Sequence, residues 1–205
     1  MGLRSEDPND NRSSFSNDVL VIEICGPNEE HFSVIDIPGI FKFSDPPRTT
    51  DADQKLIKSM VDDYIKNPRS IILAVMPATP DVATLEILQI ATKVDPDGDR
   101  TLAILTKPDL VDKGAEGTIV DLVNGKVEIR NLNWHVVRNL SQIHLNKPEV
   151  DRGALEKKFF RDCEPWSNID KERVGIVSLR ERLQEMLTEK IRQEFPKVGG
   201  NQRCT

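Results

Sequence analysis

The sequence predicts an α/β fold with a mainly parallel sheet flanked by helices on both faces. Three observations predict it. Short β-branched apolar runs recur along the chain, longer stretches with apolar residues at helical spacing separate them, and the order is strand, helix, strand, helix, strand. That alternation puts ligand sites at the carboxyl ends of the strands, where the connecting loops leave the sheet. A length of 205 residues is enough for one domain with a sizeable core.

Residues 1–14 are dominated by Asp, Asn, Ser, Arg and Pro and are expected to be disordered, because they bury too little apolar surface to offset their ordering entropy. Strands are expected at Val19–Cys25, Phe32–Ile37, Ser70–Met76, Arg100–Leu105 and His135–Asn139. Residues 51–66 carry Leu56, Ile57, Met60, Val61, Tyr64 and Ile65 at helical spacing, with Thr50 and Asp53 placed as a capping box and Pro68 beyond the end. Helices are likewise expected over 83–93 and 115–129, and the chain reads as helical after Asn139. The last helix is expected from a Ser178 cap through Leu183, Met186, Leu187 and Ile191 to Phe195, with Pro196 ending it. Residues 199–205 read as a frayed tail.

Charge and composition exclude several functions. With 28 Lys+Arg against 34 Asp+Glu, the net charge of −6 offers no electrostatic footprint for nucleic acid or anionic lipid. The longest apolar run, Ile71–Met76, falls far short of the roughly 20 residues that span a bilayer. The N-terminus has no apolar core of the secretory type. Cys25, Cys163 and Cys204 show no paired short spacing and support neither a disulfide framework nor a zinc site. The expectation is a reduced, cytoplasmic protein.

Two motifs carry chemistry. Asp36-Ile37-Pro38-Gly39 follows the run FSVI. An Asp there can orient a water on Mg2+, and a Gly without Cβ lets a backbone N–H approach a phosphate oxygen. Such a D-x-x-G arises about once by chance in a chain this long, so alone it reads better as a strand-ending turn. Thr106-Lys107-Pro108-Asp109 follows TLAIL. The Asp109 carboxylate can accept parallel hydrogen bonds from the N1–H and exocyclic amine of guanine, an edge that adenine lacks, and the aliphatic stem of Lys107 can lie along the base. Alone, T-K-x-D reads equally well as a solvated loop with a local ion pair. Their order along an alternating α/β chain is what gives the pair weight. Arg138 and Asn139, with Ser141 and Gln142 following, stand where a third loop would complete a base pocket.

These residues resemble the GTPase domain of the dynamin superfamily, the large membrane-remodelling GTPases that include the Mx proteins and their fungal relatives. The stretches Val94–Thr101 (VDPDGDRT), Ile104–Gly114 (ILTKPDLVDKG) and Leu155–Phe160 (LEKKFF), and a helix ending Phe195-Pro196, carry the resemblance over about residues 15–198. It implies a G domain of the P-loop NTPase class, with GTP and Mg2+ as ligands. Asp36 and Gly39 match the switch-II motif, with Asp36 reaching Mg2+ through water. Thr106, Lys107 and Asp109 match the guanine-specificity motif. Arg138 and Asn139 match the base loop in part, Leu140 interrupting the usual pattern. The segment Pro77–Glu86 resembles the loop used in GTPase-domain dimers, with Asp81 its polar contributor or, equally, a helix N-terminal charge favoured by the dipole. Dimerisation with itself or a full-length homologue is implied, and membrane or microtubule association only through family regions outside this sequence. The helix over 178–195 is implied to lead to a hinge at Pro196, with its apolar stripe packed less completely than that of a core helix.

No G-x-x-x-x-G-K-[ST] occurs in the 205 residues, and nothing before Ser16 matches the switch-I Thr. The expected G domain is therefore incomplete, lacking the central P-loop strand, with Phe32–Ile37 closing directly on Ser70–Met76 or stability being marginal. Three readings follow: a dynamin-type GTPase domain fragment whose family role is GTP hydrolysis coupled to membrane remodelling, a non-catalytic relative that binds guanine nucleotide weakly or only a full-length homologue, and an incomplete gene product without settled activity.

Overall fold

The computed structural model describes residues 14–27, 33–41, 43–46, 48–78, 86–127, 129, 132–140 and 151–199, the last six as backbone only. The chain divides into two compact units, Met1–Asn67 and Pro68–Thr205.

The first unit is organised around helix α1, Asp51–Ile65. Its start is the capping box that the sequence predicts: the Asp53 N–H donates to Thr50 Oγ1 at 3.2 Å and the Thr50 N–H donates to Asp53 Oδ2 at 2.9 Å. The preceding loop is pinned to that start. Ser44 Oγ donates to Asp51 Oδ1 at 2.7 Å, Gln54 Nε2 donates to the Phe41 carbonyl at 2.8 Å, and Ser14 Oγ donates to the Arg48 carbonyl at 2.6 Å. Phe15 stacks on Phe41 with ring centroids 6.2 Å apart.

Two strand expectations fail in this unit. The described residues of Val19–Cys25 and Phe32–Ile37 form no strand, and Val21 and Ile22 are 79% and 77% exposed. An extended apolar run becomes a strand only when a neighbour accepts its ladder bonds. Among the described residues none does.

The second unit holds a three-stranded parallel sheet in the order β1 (Ile72–Pro77), β2 (Thr101–Thr106), β3 (Asn133–Val136). The register pairs Val75 with Ile104, and Ile104 with His135. Alternation along β2 splits the core. Ala103 and Leu105 face a large cluster with Met76, Leu88, Ile119, Val123, Trp134 and Phe160, while Leu102 and Ile104 face Val137 and Leu179. Helices thus cover both faces of the central strand: α2 (Glu86–Val94), α3 (Glu116–Val123) and α4 (Arg152–Asp162) supply the first cluster, and α5 (Gly175–Gly199) supplies the second. Val75 of β1 is 51% exposed, and among the described residues β1 pairs with β2 alone.

Element ends differ from expectation for local reasons. Strand β3 ends at Val136 rather than Asn139: Val137 N–H still donates to Leu105, but Arg138 N–H turns to a side-chain carboxylate, Glu156 Oε1, at 2.8 Å. Helix α3 stops at Val123 rather than 129, because Gly125 takes φ 75 and Arg173 Nη1 caps the Val123 carbonyl at 2.6 Å. Helix α5 begins at Gly175, so Ser178 is an interior residue whose hydroxyl donates back to the Val174 carbonyl instead of capping. The helix continues through position 196 to Gly199; a proline near a helix end forfeits one backbone bond and does not force a stop. Residues 83–85, 141–150 and 200–205 lie outside the described residues.

The VDPDGDRT stretch is a brace at the amino ends of the strands. Asp95, 7% exposed, accepts from the Arg100 N–H at 3.1 Å and from the Thr101 hydroxyl, and Gly98 turns with φ 72. Arg100 donates to the Ser70 carbonyl at 2.9 Å and the Val94 carbonyl at 3.2 Å, so one side chain ties the start of β1 to the end of α2.

Candidate functional site

At the carboxyl end of β2 the backbone makes a sharp turn. Thr106 closes the strand: its carbonyl accepts from the Ala78 N–H at 2.7 Å, and its hydroxyl donates to the Met76 carbonyl at 3.1 Å, so its carbonyl and hydroxyl both lock β2 to β1. Lys107 follows with φ 57 and ψ 46, alone among the described non-glycine residues in having positive φ. That conformation costs a lysine about 1–2 kcal/mol and is tolerated where the surroundings over-determine it. Here the next residue supplies the anchor, since Pro108 is fully buried and opens the 3-10 turn Pro108–Leu110. The result is an exposed Lys107 side chain and a half-shielded Asp109 on a fixed turn.

The loop after β3 meets this turn. Arg138 Nε stands 3.8 Å from Asp109 Oδ2, an ion pair longer than a hydrogen bond. That Nε is buried and has no hydrogen-bond partner. The guanidinium lies 4.9 Å from the centroid of the Phe159 ring, which fixes its plane by cation–π contact. Asn139 is exposed, and its Oδ1 accepts from Arg152 Nη2 at 2.9 Å. Thr106, Lys107, Asp109, Arg138 and Asn139 are therefore brought together at the ends of adjacent strands. The short strand separation of a parallel ladder, about 4.8 Å, is what makes Asp109 and Arg138, 29 positions apart, neighbours.

Asp36 and Gly39 lie in the other unit, exposed and in irregular backbone. A Cβ at Gly39 would meet nothing within 4 Å among the described residues, so no packing they show demands a glycine there. Among the described residues no three His, Cys, Asp or Glu side chains converge to hold a metal ion. Mg2+ uses one or two carboxylates together with substrate phosphates and waters, a donor set to which the exposed Asp36 can contribute one carboxylate. Asp81, Ser141 and Gln142 lie outside the described residues.

One residue escaped sequence reasoning. Glu156 is 5% exposed and accepts the Arg138 N–H that ends β3. Its helical neighbours Phe159 and Phe160 were a signal that this face points inward, but nothing in the pattern marks the carboxylate as the partner of a distant backbone. Among the described residues no helix is long and apolar enough to cross a membrane.

Comparison with known proteins places the chain. A sequence model of the Dynamin family matches residues 3–108, more than half of the chain, and a model of the Dynamin central region matches residues 118–201. An interferon-induced GTP-binding protein Mx of Ctenopharyngodon idella is 38% identical over 186 residues, and another of Epinephelus coioides is 36% identical over the same length; each match covers 89% of this chain and 30% of the relative. Dynamin-B of Dictyostelium discoideum is 37% identical over 185 residues, covering 89% of this chain and 20% of that protein. The chain thus spans less than a third of the length of these relatives. On the extent of the family match and the agreement of its α/β sheet, the chain belongs to the dynamin family.

Proposed function

We propose that the chain is part of the GTPase domain of a dynamin-type GTPase and carries the half of the site that recognises the guanine base. The observation that supports this most is the Lys107–Asp109 turn, strained at Lys107, anchored by buried Pro108 and faced by Arg138 from the loop after β3. In this reading Asp109 accepts two hydrogen bonds from the N1–H and 2-amino group of guanine, and the Lys107 stem lies along the base face. Thr106 sets the height of the turn, and Arg138 and Asn139 close the pocket from the β3 side. Asp36 and Gly39 serve the phosphate end. Relatives are described as GTP-binding, and GTP hydrolysis by a longer protein in the cytoplasm, coupled to membrane remodelling, is the family role we assign to it. The loop around Asp81 is its proposed contact in a GTPase-domain dimer, with a second copy or a longer homologue.

The 205-residue chain on its own should release no phosphate from GTP above background, since its sequence holds no G-x-x-x-x-G-K-[ST] to keep the transferring group in line and neutralise its charge. It should nevertheless retain GDP in preference to ADP, and Asp109→Ala should erase that preference by removing the bidentate acceptor. Equal retention of GDP and ADP by the unmutated chain, measured by equilibrium dialysis, would sink the base-site assignment. Phosphate release that Asp109→Asn abolishes would instead show a working catalytic site.

A further inference from the structure

The base loop and the start of α5 hang on one buried carboxylate. Glu156 divides its two oxygens: Oε1 accepts from the Arg138 N–H at 2.8 Å, and Oε2 accepts from the Ile176 N–H at 2.9 Å. The Gly175–Ile176 peptide unit that Oε2 meets is held on its other side as well, because the Gly175 carbonyl lies 2.8 Å from His135 Nε2. Burial pushes the His135 pKa down, which favours a neutral ring with the hydrogen on Nε2, donated to that carbonyl. Gly175 has φ 84, and a Cβ there would stand 3.4 Å from Glu156 Oε2, so the close approach of carboxylate to backbone suits glycine. On the base side, the residue whose N–H is held also presents its guanidinium to Asp109 at 3.8 Å and rests on Phe159, three residues after Glu156 on the same helix. The contacts run without a gap from the first peptide of α5, through Glu156 and Arg138, to Asp109.

We infer that Glu156 is the positioning residue of the base site, fixing Arg138 and through it Asp109, and that it makes the base loop and the first turn of α5 one mechanical unit. Two charge-assisted bonds from one buried carboxylate are stronger and more directional than neutral ones, and a buried N–H left without its acceptor is costly, so neither bond opens independently of the carboxylate's position. A carboxylate that only satisfied the orphan N–H groups at a helix start would need no bond to the base loop. The nucleotide arm of the test rests on the base-site reading above; the amide arm does not.

Hydrogen exchange on the 15N-labelled chain decides it. Glu156→Gln offers one carbonyl oxygen where two are needed, and the exchange of the Arg138 and Ile176 amides should rise together by at least tenfold, with Ile104 in the central strand unchanged. Gly175→Ala disturbs the α5 side of the carboxylate alone, with no contact to the base loop. It should raise exchange at Arg138 as well as Ile176. Exchange that rises at Ile176 while Arg138 stays protected overturns the coupling, and either variant suffices should the other fail to fold. With GDP and ADP as probes in calorimetry, Glu156→Gln should lower the GDP-over-ADP preference at least fivefold although Asp109 is intact. An unaltered preference in that variant overturns the positioning role, whereas equal binding of the two by the unmutated chain refutes the base-site reading and leaves the amide result to judge the clamp.

Discussion

Helix α5 offers a quantitative test of how this fold buries its surface. Its stripe runs from Leu179, 6% exposed and packed with Leu102, Ile104 and Val137, to Ile191, 59% exposed. Geometry explains the gradient. A helix of 25 residues is about 37 Å long at 1.5 Å per residue, whereas six-residue strands at about 3.3 Å per residue span roughly 20 Å, so the helix overruns the sheet it packs on. Leu→Ala and Ile→Ala each delete three carbons. At about 0.8 kcal/mol per buried methylene, Leu179→Ala forfeits about 2.2 kcal/mol of transfer free energy, and the cavity left beside Leu102 and Val137 raises this to about 3 kcal/mol. At Ile191 only about two fifths of the side chain is covered, so the same deletion forfeits about 1 kcal/mol, of which alanine's better helix propensity returns about 0.4. The two variants should therefore differ by about 2 kcal/mol. In urea melts followed by far-UV circular dichroism, with a slope of roughly 2 kcal/mol per molar for such a domain, that is a separation of about 1 M between midpoints. Coincident midpoints would mean that the far half of the stripe is covered as fully as the near half, and the overrun argument would be wrong.

Two further outcomes are expected. Lys107→Gly should relieve the left-handed backbone at φ 57 and raise stability by about 0.5–1 kcal/mol in thermal melts, while weakening retention of GDP through loss of the stem on the base; a variant less stable than the parent would show that Lys107 is not strained. Because burial depresses the His135 pKa, the unfolded chain binds the extra proton first as pH falls, so stability is fully present above about 6.5 and declines below it, by at most about 1.4 kcal/mol per pH unit from this group. His135→Gln keeps an N–H donor and does not titrate there, and its melting temperature should fall less steeply between pH 7 and 5.5; parallel slopes would exclude His135 as the cause.

The sequence by itself determined what depends on short-range pattern. The capping box at Thr50 and Asp53, the cores of β1 and β2, and the placement of the T-K-P-D turn at a strand's carboxyl end all follow from spacing and turn chemistry within a few residues, and the structure has each. Membership of the dynamin family was legible for the same reason, since its motifs are local strings in a fixed order.

What tertiary structure alone decided were the matters that need a partner. Val19–Cys25 and the described part of Phe32–Ile37 have the composition of strands, yet among the described residues no ladder receives them, and composition cannot supply a neighbour. Ser178 has the chemistry of a cap and lies inside a helix, because Gly175, held between His135 and Glu156, starts the helix a turn earlier. Strand β3 ends at Val136 because a carboxylate 18 residues further along takes the Arg138 N–H. The meeting of Asp109 with Arg138 belongs here as well. Two residues 29 positions apart in the chain become an ion pair only because β2 and β3 lie side by side, and the register of those strands is a property of the folded core.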